Sequence, residues 1–256
     1  MHAGYLSAQN ERTVRAARLA VGHDQMHVNY RYCLAAAEAH GGRVLDFGCG
    51  AGETVREGLR QGLDIWGADV FFDASPEYLQ AVQDLLGDKV FRIEDDRLPF
   101  PDNHFDVVVS NQVFEHVPHL DRAFAEIARV LKPGGKLLAL FPTLEVWIEA
   151  HCRIPFAHRL VRWPRLFRPY MALAHRLGFG NERANKTRAG WVAGFERYIP
   201  ESTAYRRLRE IRRMLTDAGL RPRHREAEYM RFRWGRPIIP PVLFRRLAGV
   251  VIEAQA

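Results

Sequence analysis

Short apolar runs alternate with amphipathic stretches through the first half of the chain, and each change of period marks an element. Residues 43–47, 63–69, 89–93, 105–110 and 136–141 are rich in Val, Leu, Ile, Ala and Phe, which predicts strands. Val107-Val-Val109 and Leu137-Leu-Ala-Leu140 have no polar interruption, as strands covered on both faces should read. Between these runs, 52–61, 75–86 and 120–131 repeat apolar positions at helical spacing. Alternation of this kind predicts an α/β fold with a doubly wound, mostly parallel sheet. Upstream, Val14, Ala17, Leu19 and Val21, then Tyr30, Leu34 and Ala37, predict one or two helices over 7–40, closed by Gly41-Gly42.

After Pro142 the alternation stops. Prolines at 155, 164 and 169, eight aromatic residues from 147 to 195 and many arginines predict a helical insertion after the fifth strand, because the aromatic content is too high for a disordered linker. Such an insertion should lie over the carboxyl ends of the strands. A helical pattern returns at Glu201 to Ala218, stopped by Gly219.

The first strand ends in the most informative segment, Val44-Leu-Asp-Phe-Gly-Cys-Gly-Ala-Gly52. A strand that enters a glycine turn and then a helix is a nucleotide-cofactor loop, and its details select the cofactor. In a dinucleotide site a third glycine lets the helix pack beneath a pyrophosphate. Here that place holds Glu53, and with Asp46 it frames the loop in negative charge. Two carboxylates oppose a pyrophosphate and favour a cationic ligand, which sets an NAD-linked oxidoreductase behind S-adenosylmethionine chemistry.

From this loop onward the chain resembles the class I S-adenosylmethionine-dependent methyltransferases, in particular the small-molecule group labelled type 11. The resemblance spans about residues 43 to 142 and implies a Rossmann-like sheet. It implies that the loop backbone at Gly48, Cys49, Gly50 and Gly52, with Asp46, holds the methionine part of the cofactor. It also implies that Asp69, followed by Val70, binds the ribose hydroxyls. Ile93-Glu-Asp-Asp-Arg-Leu-Pro-Phe100 resembles the adenine-capping segment, in which the usual Asp is replaced; counting back from Leu98-Pro99-Phe100 gives Glu94, so Glu94 or Asp95 makes that contact. Asp106-Val-Val-Val-Ser-Asn111 resembles the strand whose end, at Asn111, borders the transferred methyl, and Lys132-Pro-Gly-Gly135 the turn into the fifth strand. By the same resemblance, 220–233 and 249–255 are the strand pair that closes the sheet, with an antiparallel C-terminal strand. The implied organisation is a helical cap over 1–42, a cofactor-binding core over 43–142, a basic lid over 143–199, and a C-terminal helix with closing strands over 200–256.

The net charge of +7 hides a division: residues 1–150 carry −8, residues 151–236 carry +14, and the tail +1. The basic half suits an anionic acceptor, a membrane surface or nucleic acid. A nucleic-acid-binding protein or nucleic-acid methyltransferase is the alternative from another class; Ser110-Asn111-Gln112-Val113 stands where an Asn-Pro-Pro-Tyr base-methylating motif would, which lowers it. Arg231 to Arg246, with Trp234, Ile238, Ile239, Leu243 and Phe244, reads as a candidate interfacial patch. Cys33, Cys49 and Cys152 show neither disulfide nor zinc spacing, and no signal-like apolar run opens the chain. A cytoplasmic location, with peripheral contact at the inner membrane surface, is the expectation.

Methyl transfer from a sulfonium mainly requires alignment and exclusion of water. An acceptor hydroxyl adds the need for a base, and His116, in Asn111-Gln-Val-Phe-Glu-His-Val117, is the nearest imidazole in sequence to the strand that borders the methyl. His151, Arg153 and His158 in the insertion are candidate contacts to an anionic small-molecule or glycan-linked acceptor.

Overall fold

The computed structural model describes residues 26–71, 76–184 and 186–256. Seven strands form one sheet in the order β3-β2-β1-β4-β5-β7-β6. They are β1 (Arg43–Phe47), β2 (Asp64–Asp69), β3 (Val90–Arg92), β4 (Phe105–Asn111), β5 (Leu131–Phe141), β6 (Arg221–His224) and β7 (Val250–Gln255). Neighbours pair in parallel except β7, which is antiparallel to both β5 and β6. The expected mostly parallel α/β sheet with an antiparallel C-terminal strand is therefore what forms. The chain turns one way through β2 and β3 and the other through β4 and β5, so the crevice at the carboxyl ends of β1 and β4 is the topological switch point.

Side chains alternate across the sheet. Leu45, Val108, Leu137 and Ala139 join a core completed by Leu120, Phe124 and Ile127 of α4 (Leu120–Val130) and Ile211 and Leu215 of α8 (Leu208–Asp217). Val44, Val107, Val109, Leu138 and Leu140 face the other way, onto Leu34 and Ala37 of α1 (Val28–His40), Tyr229 and Met230 of α9 (Glu226–Trp234) and Phe244 of α10 (Pro241–Ala248). Both faces are thus covered, which is why the strands read as unbroken apolar runs. Helix α2 (Glu53–Arg60) follows β1, and Gly58 lets it press on β2: a Cβ there would lie 2.9 Å from Ile65.

The insertion has a core of its own. Phe167, Met171 and Ala174 of α6 (Pro164–Arg176) pack against Trp191, Val192, Phe195 and Ile199 of α7 (Arg188–Ser202), together with Cys152, Ile154 and Ala157 at the start of the short α5 (Ala157–Leu160).

Four sequence expectations are corrected. The helix expected over 201–218 is two: α7 ends at Ser202, and α8 runs only from Leu208 to Asp217. Between them the backbone bonds to the core, with Ala204 N donating to Glu115 O at 2.6 Å and Leu144 N to Arg206 O at 2.8 Å, so the helix cannot continue. The strand expected over 220–233 ends at His224; Glu226, Tyr229 and Met230 are buried at helical spacing and form α9. The helix expected over 75–86 is the shorter α3 (Pro76–Ala81). Strand β5 begins at Leu131, and Lys132-Pro-Gly-Gly135 is an irregularity within it where the register with β4 shifts. The helix expectation for 7–25, most of the proposed cap, lies outside the described residues.

Candidate active site

The glycine loop closes on the carboxyl end of β1. Gly48, Gly50 and Gly52 all have positive φ, at 78°, 50° and 73°. Space decides two of them as well: a Cβ on Gly48 would lie 2.3 Å from Val113, and one on Gly52 would lie 2.8 Å from Val82. Gly50 has nothing within 4 Å, so that side of the loop is open. Cys49 points inward, buried with Val55, Phe71, Val82 and Val90, and burial pushes its thiol pKa well up; it is packing, not a nucleophile.

Two carboxylates frame the loop differently. Asp69, at the end of β2, accepts from Gly50 N at 2.8 Å and from Phe71 N at 3.0 Å, which ties the loop to the second strand. Asp46 is buried, and burial pushes its pKa up to about 7 against a hydrogen bond from Thr54, with the negative charge of Asp69 adding to the rise. No cation among the described residues pairs with Asp46. Val70 is exposed beside Asp69, and Glu94 and Asp95 sit in an exposed turn just after β3, whose Ile93 N donates to Asp69 O at 2.8 Å. The cofactor-site candidates Asp46, Gly48, Cys49, Gly50, Gly52, Asp69, Val70, Glu94 and Asp95 thus gather at adjacent strand ends. Asn111 ends β4, where its Oδ1 accepts from Asn29 Nδ2 at 2.9 Å, and Tyr229 Oη donates to Asn29 Oδ1 at 2.5 Å. Helix α1 thereby fixes the side chain of Asn111 at the end of β4.

The 3-10 turn Phe114–His116 follows β4 and meets the insertion. His116 Nδ1 lies 2.6 Å from Ser202 O, and its Nε2 lies 3.3 Å from Nε2 of His151. His151 Nδ1 is 2.7 Å from Glu149 Oε1, which also accepts from Tyr205 Oη at 2.7 Å. Oε2 of Glu149 accepts the backbone N–H groups of His151 and Cys152, at 2.8 and 2.6 Å. Burial by itself would raise the Glu149 carboxyl, but the contacts with His151, the Cys152 N–H and Tyr205 outweigh it and hold the pKa at about 2. Burial lowers the pKa of His116. Glu115 is buried with Oε2 unpartnered, and burial, with the charge of Glu149 nearby, pushes its pKa up to about 8.

These distances fix where protons sit. A carbonyl and an ionised carboxylate only accept, so the Nδ1 atoms of both histidines carry hydrogen. The two Nε2 atoms then face each other with lone pairs and have room for one further proton between them. The resulting charge would be balanced by Glu149. Both rings are about a quarter exposed, at 27% and 23%, so solvent reaches them.

Of the three insertion residues predicted to touch the acceptor, only His151 joins His116. His158 is buried under Tyr205, with Nε2 3.3 Å from Leu144 O, so it is not open to an acceptor. Arg153 is exposed and points to no acid among the described residues. Glu149, Tyr205 and Glu115 were not anticipated. Glu149 lies two residues before His151, the one hint available in the sequence. The hollow lined by Arg43, Asp64, Asp106 and Lys132 lies at the amino ends of the strands, and its charges are already paired, Lys132 with Asp106 at 2.7 Å and Arg43 with Asp64 at 3.4 Å.

Residues 45–139 match a family model described as a methyltransferase domain. Among curated proteins, the chain is 35% identical over 128 residues to the ubiquinone/menaquinone biosynthesis C-methyltransferase UbiE of Stutzerimonas stutzeri, covering 46% of this chain and 50% of that one. It is 37% identical over 99 residues to the sterol 24-C-methyltransferase ERG6B of Gibberella zeae, covering 37% of this chain and 26% of the relative. The chain spans about half the length, or less, of the curated relatives it matches. Among solved structures, an S-adenosylmethionine dependent methyltransferase from Mesorhizobium loti superposes with a TM-score of 0.54 at 18% identity, covering 92% of this chain and 100% of that one. That likeness extends the fold across the insertion and the C-terminal strands.

Proposed function

We propose that this chain, whose core belongs to the class I S-adenosylmethionine-dependent methyltransferases, methylates an oxygen or nitrogen of a small-molecule acceptor that must lose a proton as it reacts. The observation that carries this reading is the contact of Gly48 with Val113, which sets the acid-framed glycine loop beside the turn bearing His116. The residues fit the cofactor: the open face at Gly50 gives room, and buried Asp46 lacks a cation that the cofactor's ammonium would provide. In this reading Asp46 and the backbone of residues 48–52 hold the methionine end, and Asp69 accepts from the ribose hydroxyls. Val70 with Glu94 or Asp95 borders the adenine, and Asn111 lies beside the reacting methyl. S-adenosylmethionine supplies an activated methyl on a sulfonium.

The rest of the work falls to the chain. His116 Nε2 takes the acceptor's proton, which is then shared with His151 Nε2, while Glu149 balances the charge and Tyr205 holds Glu149. Residues 143–207 cover the cleft on that side and exclude water. Arg153 is the free cation nearest in sequence to His151 and suits an anionic or glycan-linked acceptor. A carbon acceptor is the second reading, favoured by the names of the relatives, which are C-methyltransferases; it also releases a proton, from carbon rather than from oxygen or nitrogen. The cytoplasm is the proposed compartment, consistent with three free buried thiols.

The test is transfer of labelled methyl from S-adenosylmethionine into fractionated cell extract, with Asp69→Ala as control. Label in small molecules or lipids that disappears with the variant supports the reading. Failure to bind S-adenosylmethionine in a titration overturns it.

A further inference from the structure

The insertion carries a surface that the proposed reaction does not use. On α6 and its C-cap, Leu166, Leu173 and Leu177 recur at intervals of seven and four, which places them on one side of the helix, while Phe167, Met171 and Ala174 take the buried side. All three leucines are more than half exposed, as are Trp163 just before the helix and Phe179 just after it. Five large apolar side chains on one short segment exceed what a surface facing water normally shows.

The charge within this segment has one sign. From Ala150 to Asn181 the chain has no Asp or Glu and six arginines. Arg168 pairs with Glu196 at 2.9 Å and Arg159 lies over the Phe156 ring, 5.5 Å from its centroid. Arg153, Arg162, Arg165 and Arg176 are exposed with no acidic partner among the described residues. The face continues beyond α6. Tyr170 Oη donates to Pro155 O, Phe156 N to Trp147 O and Trp147 N to Arg246 O, which links exposed Phe156, Trp147 and Leu247 to it.

We propose that this face docks on an anionic lipid bilayer. A nucleic acid would satisfy the arginines and leave the leucines exposed. A second copy would cover the leucines and set arginines against arginines. A bilayer interface serves both: leucines and Phe179 enter the acyl boundary, Trp163 lies at headgroup level, and the arginines reach lipid phosphates. Of the interfacial patch expected at 231–246, Phe244 is buried in the core and Ile239 packs against it, while Trp234 and Ile238 are exposed beside exposed Arg231, Arg233 and Arg236. No helix among the described residues is long and apolar enough to cross a membrane.

The inference does not depend on methyl transfer, so it is tested without cofactor. The full chain is sedimented with phosphatidylcholine vesicles, with and without about a third phosphatidylglycerol. The variants are Leu166→Gln/Leu173→Gln/Leu177→Gln and Arg162→Glu/Arg165→Glu/Arg176→Glu, exposed positions whose exchange should leave circular dichroism and the melting temperature unchanged. Sedimentation with anionic vesicles only, reduced at least about tenfold in each variant, is the expected result. Absence of binding to anionic vesicles overturns the proposal. So does binding that the leucine variant retains, or a dimer that the leucine variant converts to monomer.

Discussion

Two buried carboxylates, Asp46 beneath the glycine loop and Glu149 at the seam with the insertion, sit in opposite electrostatic situations. Among the described residues Asp46 has one side-chain donor, Thr54, and no cation, and its carboxyl is pushed up to about 7. Glu149 accepts four hydrogen bonds and is held at about 2. A fully satisfied buried acid joins elements, here the core turn, the insertion and the segment carrying Tyr205. An acid left unsatisfied weakens the free protein and is retained where a ligand completes it. On the proposed reading, the difference sets a carboxylate that the cofactor's ammonium would complete apart from one that the fold has already completed.

The contrast breaks most sharply at the seam. Glu149→Ala removes the acceptor for four buried donors and is expected to cost about 3–5 kcal/mol in urea unfolding. A variant as stable as the parent would show that the seam is not built on this residue. Next in size is His116→Ala, which should lower kcat by about a hundredfold or more while leaving stability within about 1 kcal/mol. His151→Gln should shift the acid limb of the pH–rate profile, since the shared proton loses one of its two sites; a purely structural histidine would leave that limb in place.

Asp46→Asn sharpens the other side of the comparison. The folded pKa of Asp46 is about 7, above the ordinary value near 4, so the parent loses stability as pH rises from about 4 to about 7. The variant lacks that loss. It should melt with the parent near pH 4, exceed it by about 4 kcal/mol above pH 7, and bind S-adenosylmethionine at least about tenfold more weakly. Glu149 gives the reverse dependence: its stabilisation is present above about pH 4.5 and is lost as pH falls toward 2. Smallest is Cys49→Ala, expected to cost about 1 kcal/mol through lost packing and to leave transfer unchanged.

Much of the sheet was legible because burial on both faces imposes unbroken apolar runs, as at Val107-Val-Val109, and because positive φ or tight approach requires glycine at 48 and 52. The segment 220–233 misled because the short alternation at Arg221–His224 is real, while Glu226 is a charged residue at a buried helical position. Its burial is supported by Arg245 at 3.1 Å and His224 at 3.1 Å. No local pattern reveals such partners. The same holds for Tyr205 and Glu149, which are 56 residues apart in the chain.

By itself the sequence determined the order of strands and helices from β1 to β5, the glycine loop and the acids that frame it, since these depend on local periodicity, backbone sterics and charge at fixed spacing. Only the tertiary structure decided that His116 meets His151, that Asp46 meets no cation among the described residues while Glu149 is saturated, and that the leucines on and just after α6 face outward. Each of these depends on desolvation and on partners brought in from distant segments, and neither quantity is encoded in the neighbouring residues.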